Sequence, residues 1–455
     1  MDNLFDLLEY EINKDVQKKE TNNMIKENND SYCNESHLLH LKKLEKGLYN
    51  EDDIISSGLI KGDYIRVNSY IGSRLNTDLR GINRELKKDS VIKAELKLGF
   101  EEVEFNADIF DEEVKCIADK LLIVDGSSLL STSFYATARD LLFAKTDEQK
   151  EFAYTKLMQT PDGIYTNGIY MFFKTLLPLL ERQRITHLAV VLDRSRSGTF
   201  RRELDPEYKA NRKETPIPLS NQFKLLTEIL PQLNIPIFSH EYYEADDFAG
   251  SLVKKFETDI ETILHTKDED YIQLVSDNTK LWIVTGKRDA MYEELGINKK
   301  ELNLPSGVFE YTPEYVKHFK GIEPIQIIDA KAIEGDKSDN IRGVKNVGET
   351  SSRPLLRHYT SLEAIYEAID NLDIKSEKEI SLFFKEQLGI KRSPIKNLLL
   401  YKEDAFLSKK LATIKTDIDE IQDLELEKLK LDIDYETMNN IFSKLEMNSL
   451  IKKKK

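Results

Sequence analysis

Cysteine is nearly absent, with only Cys33 and Cys116 in 455 residues. So few thiols exclude a disulfide framework and a thiolate zinc cluster, and suit a reducing cytoplasm. Long apolar runs are missing too, and the opening MDNLFDLLEYEINKD lacks the basic-then-apolar shape of a signal peptide. The expected setting is therefore cytoplasmic, with no membrane partner. Positive charge is outnumbered, 66 Lys and Arg against 81 Asp and Glu, for a net charge of −15. That balance argues against a nucleic-acid partner unless the acids cluster at one site and the bases at another. What remains is ordinary globular material, 40% hydrophobic and 9% aromatic, long enough for two or three domains and a large core.

The acids do cluster. The stretch Ile235–Asp247 reads IPIFSHEYYEADD, a short apolar run followed by Glu244, Asp246 and Asp247. The next residues, Phe248 to Val253, have helix-like apolar spacing. Acids suit a helix start, where free amides and the macrodipole stabilise negative charge. Three so close repel and raise each other's pKa, so the alternatives are a decorated helix cap and a site for a divalent cation.

Residues 1 to about 45 are polar and read as flexible or loosely helical. From about 46 to 117 there is some apolar pattern and a mildly basic run through Arg74, Arg80, Arg84, Lys87 and Lys88, best read as a solvated face. The character changes at Leu121. Buried-strand runs Leu121–Val124, His187–Leu192, Ile235–Phe238 and Glu261–His265 each lead into acids: Asp125, Asp193, Glu244/Asp246/Asp247 and Asp268/Asp270. Leu281–Val284 is a candidate fifth strand, and Tyr170–Arg182 and Asn221–Leu233 read as helices. Strands alternating with helices predict a mostly parallel central sheet with helices on both faces. Ligands of such sheets bind beyond the carboxyl ends of the strands, so these acids are expected along one edge.

A helical region is expected from near Thr312. Its helix Ile327–Ile333 stops at Gly335-Asp336-Lys337-Ser338-Asp339-Asn340, and Asp336 and Asp339 are spaced to serve one ion. Gly343-Val-x-x-Val-Gly348 then suggests a tight turn between two helices. Its amides suit a phosphate, although a plain helix corner has the same spacing. Nine carboxylates on one edge need cations, and oxygen-only ligands select hard ions such as Mg²⁺ or Mn²⁺. Two such ions catalyse in-line phosphoryl displacement, so the expected chemistry is phosphodiester hydrolysis. Between Arg194 and Lys213, seven bases (Arg194, Arg196, Arg201, Arg202, Lys209, Arg212, Lys213) face three acids, with Phe200 and Tyr208 interleaved. That mixture suits a single strand's phosphates and bases, although a solvated charged helix has the same composition.

Together these residues resemble the flap endonuclease, or structure-specific 5′ nuclease, family, in its bacterial and phage branch, which includes the 5′–3′ exonuclease domain of DNA polymerase I. The resemblance runs from about Leu121 to Leu450. It rests on Val124-Asp125-Gly126-Ser127-Ser128, on Leu192-Asp193 leading to Thr199-Phe200-Arg201, and on Tyr208-Lys209-x-x-Arg212. It continues through Glu244-Ala245-Asp246-Asp247, Asp268-x-Asp270, Gly335–Asn340, the Gly343–Gly348 helix–hairpin–helix, and Leu411–Asp417.

The resemblance implies an α/β, PIN-like nuclease domain over 118–310 with a helical arch, and a helix–hairpin–helix DNA-binding region over 311–455. Residues 1–117 are an extension of unassigned role that could meet replication proteins. It implies a first metal site of Asp125, Asp193, Glu244, Asp246 and Asp247, and a second of Asp268, Asp270, Asp336 and Asp339. Lys209 and Arg212 are expected to contact the scissile phosphate. Arg201, Tyr208 (by stacking on a base), Gly343, Val344, Gly348 and Thr350 are expected to contact DNA, with a potassium ion assisting at the turn. The implied partners are DNA with 5′ flaps or ends and RNA–DNA hybrids, in the cytoplasm of a bacterial or phage-infected cell. Two departures stand out: Lys267 where the family has Gly, and Thr132 where it has Arg, with Arg139 a candidate substitute. The alternative function is a catalytically inactive DNA-structure binder.

Overall fold

The computed structural model describes residues 119–194, 198–298, 302–371 and 377–451, together with two short strands before them. The chain divides after residue 117. In the first part, β1 (Ile92–Ala94) pairs antiparallel with β2 (Val103–Phe105). The basic run from Arg74 to Lys88, both cysteines, Arg196 and the terminal lysines lie outside the described residues.

The second part is built on one six-stranded sheet of β3 (Lys120–Asp125), β4 (His187–Val191), β5 (Ile237–Phe238), β6 (Glu261–Thr266), β7 (Thr279–Val284) and β8 (Val308–Tyr311). The strand order is β5-β4-β3-β6-β7-β8. All neighbours are parallel except β7 and β8. The apolar strand runs follow from burial on both faces. Leu121 and Ile123 point into one core layer, and Leu122 and Val124 into the other, as the two-residue period of a strand requires. The antiparallel β8 was not anticipated; one edge strand of four residues carries little pattern of its own.

Eight helices position the site: α1 (Gly126–Thr137), α2 (Asn167–Gln183), α3 (Phe200–Leu204), α4 (Ile217–Gln232), α5 (Ala245–Phe256), α6 (Gln326–Glu334), α7 (Glu349–Tyr359) and α8 (Lys402–Ala412). Helix α4 starts four residues earlier than its apolar spacing suggested because Pro218 lies in its first turn, where a missing N–H costs nothing. The expected arch is mostly not helical. Among the described residues between β4 and α4, only α3 is helix, and Pro206–Asn211 follow as turns. The helices after Pro313 share a core with the sheet, since Ile327, Leu355 and Leu398 cluster with Leu121 and Ile123.

The chain steps from β3 outward through β4 to β5, then returns to β6 on the other side of β3. This reversal leaves a crevice beyond the carboxyl ends of β3 and β6, the usual ligand position in such a sheet.

Candidate active site

Asp125 ends β3 at that crevice and caps α1. Its Oδ1 accepts from the Ser128 amide at 2.8 Å, and its Oδ2 from the Thr266 hydroxyl at 2.7 Å. Gly126 follows because nothing larger fits: a Cβ there would lie 2.7 Å from Val190 and Leu192 side chains. The Ser127 hydroxyl accepts from the Asp193 amide at 2.9 Å and that of Ser128 from the Lys267 amide at 3.1 Å. Gly126-Ser127-Ser128 thus staples the ends of β4 and β6 to β3, a role not read from the sequence. Asp193 Oδ1 in turn accepts from the Ala245 amide at 3.0 Å, at the start of α5 where an anion is favoured. Burial, with Asp193 nearby, raises the Asp125 carboxyl to about 6.

The expected edge of acids is therefore present, and basic side chains lie among them. Lys209 Nζ donates to Glu244 Oε1 at 2.6 Å and lies 3.6 Å from Asp339 Oδ2. Arg212 donates to Asp339 Oδ1. Lys331, on α6, joins Asp270 to Asp336, the latter at 2.6 Å. Lys331 was not among the expected site residues; its position five residues before Asp336 was the available signal. Burial works to raise Glu244, but Lys209 and Arg201 outweigh it and hold the group low. Burial likewise opposes ionisation of Asp336, and Lys331 with Ser338 overcomes it, bringing the group to about 2. Asp270 goes the other way, raised to about 7 by burial and by Asp268 despite Lys331.

Several expected contacts are corrected here. Asp336 and Asp339 are not paired with one another: Asp336 is tied to Asp270 through Lys331, whereas Asp339 is tied to Glu244 through Lys209 and the Tyr208 hydroxyl, although its charge still reaches Asp268 and Asp270. Tyr208 is only 3% exposed, so it supports the acids from below and has no free face for a base. Arg201 is 1% exposed and spends its guanidinium on Glu244, Asp247 and two carbonyls, leaving nothing for DNA. Gly343 and Val344 are buried, and a Cβ on Gly343 would meet the Gly335 nitrogen at 2.2 Å. They pack the turn onto the end of α6 and onto α8: the Val344 amide donates to the Ile333 carbonyl at 2.7 Å and the Gly343 amide to the Ser408 hydroxyl at 3.0 Å. Gly348 and Thr350 are exposed at the start of α7.

Asp247 is fully occupied. Its Oδ1 accepts from Arg201 Nη2 and the Lys415 amide, and its Oδ2 from Arg201 Nη1 and the Glu244 amide, at 2.7–3.0 Å. Four donors fill the four lone-pair positions of a carboxylate. Lys267 is exposed in ordinary backbone geometry, so the residue in place of glycine does not crowd the turn. Arg139 is exposed and opens a separate helix beyond the end of α1, seven residues past Thr132.

Among the described residues, no three acidic, His or Cys side chains converge on one ion-sized position; Lys209, Lys331 and Arg201 lie between the acids and bind them. The donor set nevertheless fits hard cations. Asp246 Oδ1 is buried with no hydrogen-bond partner, as is the Tyr271 hydroxyl. Burial and the neighbouring Asp247 and Glu244 raise Asp246 well above the usual carboxylate range, against the pull of Arg201. Ionisation of Tyr271 is opposed by burial and by Asp125, Asp246, Asp193 and Asp268. Buried polar groups without protein partners call for water or an ion.

By architecture, this is a doubly wound α/β sheet with a helical region packed beside its carboxyl edge. Residues 120–301 match the family model of the 5′-3′ exonuclease N-terminal resolvase-like domain, and residues 322–437 that of the 5′-3′ exonuclease C-terminal SAM fold. The 5′-3′ exonuclease of Halalkalibacterium halodurans is 31% identical over 313 residues, covering 68% of this chain and 88% of that one. The DNA polymerase I of Caldicellulosiruptor bescii is 36% identical over 336 residues, 73% of this chain and 33% of the polymerase. This chain thus spans about a third of the length of such polymerases. The T5 5′-exonuclease, solved with divalent zinc ions, aligns with a TM-score of 0.44 and 22% identity over 65% of this chain and 90% of that one. The chain belongs to the 5′-3′ exonuclease family. Among the described residues, no helix is long and apolar enough to cross a membrane.

Proposed function

We propose that this chain is a divalent-metal-dependent nuclease that hydrolyses phosphodiester bonds at 5′ ends and 5′-flap junctions, on DNA or on RNA primers paired to DNA, during replication and repair. The observation that carries the reading is the acid-lined crevice between β3 and β6, with Asp246 Oδ1 and the Tyr271 hydroxyl buried there without a hydrogen-bond partner. Family membership supports it.

An oxygen-only donor set favours Mg²⁺ or Mn²⁺. Asp125, Asp193, Glu244 and Asp246 form the first ligand group, and Asp268, Asp270, Asp336 and Asp339 the second. Two hard cations bound by these groups would supply Lewis-acid activation of a water and charge stabilisation for the leaving oxygen. The chain's own cations do the rest. Lys209 and Arg212 lie at the crevice on a turn and offer their charge to the scissile phosphate. Exposed Gly348 and Thr350, at the N-terminus of the 11-residue α7, suit duplex phosphates, with a potassium ion assisting at the turn. Contacts to phosphate carry no base information, so selectivity is for the structure of a 5′ end.

The test is cleavage of labelled 5′-flap DNA in Mg²⁺ and in EDTA, beside Asp193→Ala. Cutting near the junction that requires the metal, and that falls by more than about a hundredfold in the variant while DNA binding persists, is the expected result. Tight binding without cutting in either Mg²⁺ or Mn²⁺ would replace this reading with that of a DNA-structure binder.

A further inference from the structure

Arg201 and the segment after α8 account for a feature that the proposed function leaves unused. The guanidinium is almost wholly buried and touches three parts of the chain. Nη1 and Nη2 fork onto Asp247 at 2.7 Å each, and Nη1 also reaches Glu244 Oε2 at 2.8 Å. Nε and Nη2 donate to the Leu411 and Thr413 carbonyls at 2.9 and 3.0 Å. Arg201 Nη1 also lies 3.7 Å from Asp246 Oδ1, without hydrogen-bonding it. Every direction of the fork is used, and planar bidentate pairing of this kind fixes geometry as well as charge.

The segment that Arg201 grips is itself held against α5. Gln273 binds the Ala412 carbonyl and the Ile414 amide at 3.1 and 2.9 Å. The Lys415 amide donates to Asp247 Oδ1 at 2.8 Å, and the Ile418 amide donates to the Ser251 hydroxyl at 3.2 Å. Gly250 allows this approach: a Cβ there would lie 2.5 Å from Ile414 Cγ2. Leu411–Ile418 is thus a strap across the acidic helix start, and Arg201 is its buckle.

We propose that Arg201, braced by Asp247 and by the 411–418 strap, is a positioning residue that sets the Glu244 carboxylate, and with it Asp246, for the first metal ion; Asp247 acts through Arg201 and not as a ligand. This rests on the reading of Glu244 and Asp246 as metal ligands. The sign of the effect separates positioning from simple electrostatics. Removing a buried positive charge beside acids should, by Coulomb's law alone, tighten cation binding. Loss of positioning loosens it.

The experiment is titration of the full chain with Mn²⁺ alone, free ion read by electron paramagnetic resonance, for wild type, Asp193→Ala, Arg201→Lys, Arg201→Met and Gln273→Leu. Arg201→Lys, which keeps the charge but loses the fork, is expected to weaken Mn²⁺ binding by about tenfold or more, the usual effect of losing an outer-shell partner. Arg201→Met is expected to weaken it as well, and Gln273→Leu, whose side chain binds the Asp270 and Ala412 carbonyls and the Ile414 amide but no carboxylate, by a smaller factor. Flap-DNA affinity in EDTA should be unchanged in Arg201→Lys. Where Arg201→Met fails to fold, Arg201→Lys decides. Mn²⁺ binding equal to or tighter than wild type in Arg201→Lys overturns the proposal, as does a loss confined to DNA affinity. Absence of Mn²⁺ binding in wild type, or indifference to Asp193→Ala, would instead sink the metal-site reading beneath it.

Discussion

Two lysines sit among the acids, and they are held differently. Lys331 projects from α6, a regular helix, and joins Asp270 to Asp336. Lys209 sits on a turn with φ +54°, an unusual backbone region for a side-chain-bearing residue. It joins Glu244 to Asp339. That turn is moored to the loop beyond α6 by the Lys209 amide on the Asp339 carbonyl, Asn340 on the Glu207 carbonyl and Asn211 on the Lys337 carbonyl. A cation carried on a helix can leave its acids only if the helix moves, whereas one on a turn moored by a few hydrogen bonds can swing to another anion. The same chemical pairing thus serves two ends: Lys331 is a fixed brace between sheet and helical region, and Lys209 is a charge available to substrate.

The largest effect expected from breaking this contrast is at the brace. Lys331→Met leaves Asp270 and Asp336 without their shared cation, which should cost about 3 kcal/mol of metal-free stability. Urea unfolding in EDTA measures it, and Mg²⁺ should return much of the loss; equal stability in EDTA would mean the bridge holds nothing. Lys209→Ala should instead slow single-turnover cleavage by about a hundredfold, with a smaller change in DNA affinity. Wild-type rates would remove Lys209 from the reaction.

The acids also predict a pH response of the metal-free chain. Asp125 and Asp270 have folded values of about 6 and about 7 against an ordinary 3.8. Between about pH 4 and 7 the unfolded chain holds fewer protons on these groups than the folded chain, so their contribution to stability is lost as pH rises through that window. Asp336, lowered to about 2, works in the opposite sense and loses its contribution as pH falls below about 4. Melting temperature in EDTA should therefore fall between pH 5 and 7.5, and Mg²⁺ should restore more at the upper value; a flat profile in EDTA would show the acids are not strained. The smallest effect belongs to the staple: Ser127→Ala removes one hydrogen bond, from the Asp193 amide, and should cost about 1 kcal/mol in urea.

The carboxyl edge was legible because its signals are local. Leu121–Val124 and His187–Leu192 are apolar runs ending in Asp125 and Asp193, and the parallel sheet brings such ends together. The pairings were not legible. Arg201 reads as one base in a basic segment, yet its partners are Glu244, Asp247, Leu411 and Thr413. Tyr208 reads as an aromatic among bases, yet its hydroxyl is committed to Glu244. Asp336 and Asp339 read as one pair because they are three residues apart, and the turn closed by Asp336 and Ile341 sends them to different partners.

By itself the sequence determined which residue types arrive at the end of each strand, that oxygen donors dominate there, and where the principal strands and helices run, since periodicity and local charge act over a few residues. Only the tertiary structure decided which acids are free and which are spoken for. That choice depends on side chains such as Arg201 and Lys331 meeting carboxylates from other segments, and on burial that excludes water from the encounter, neither of which has a period to read.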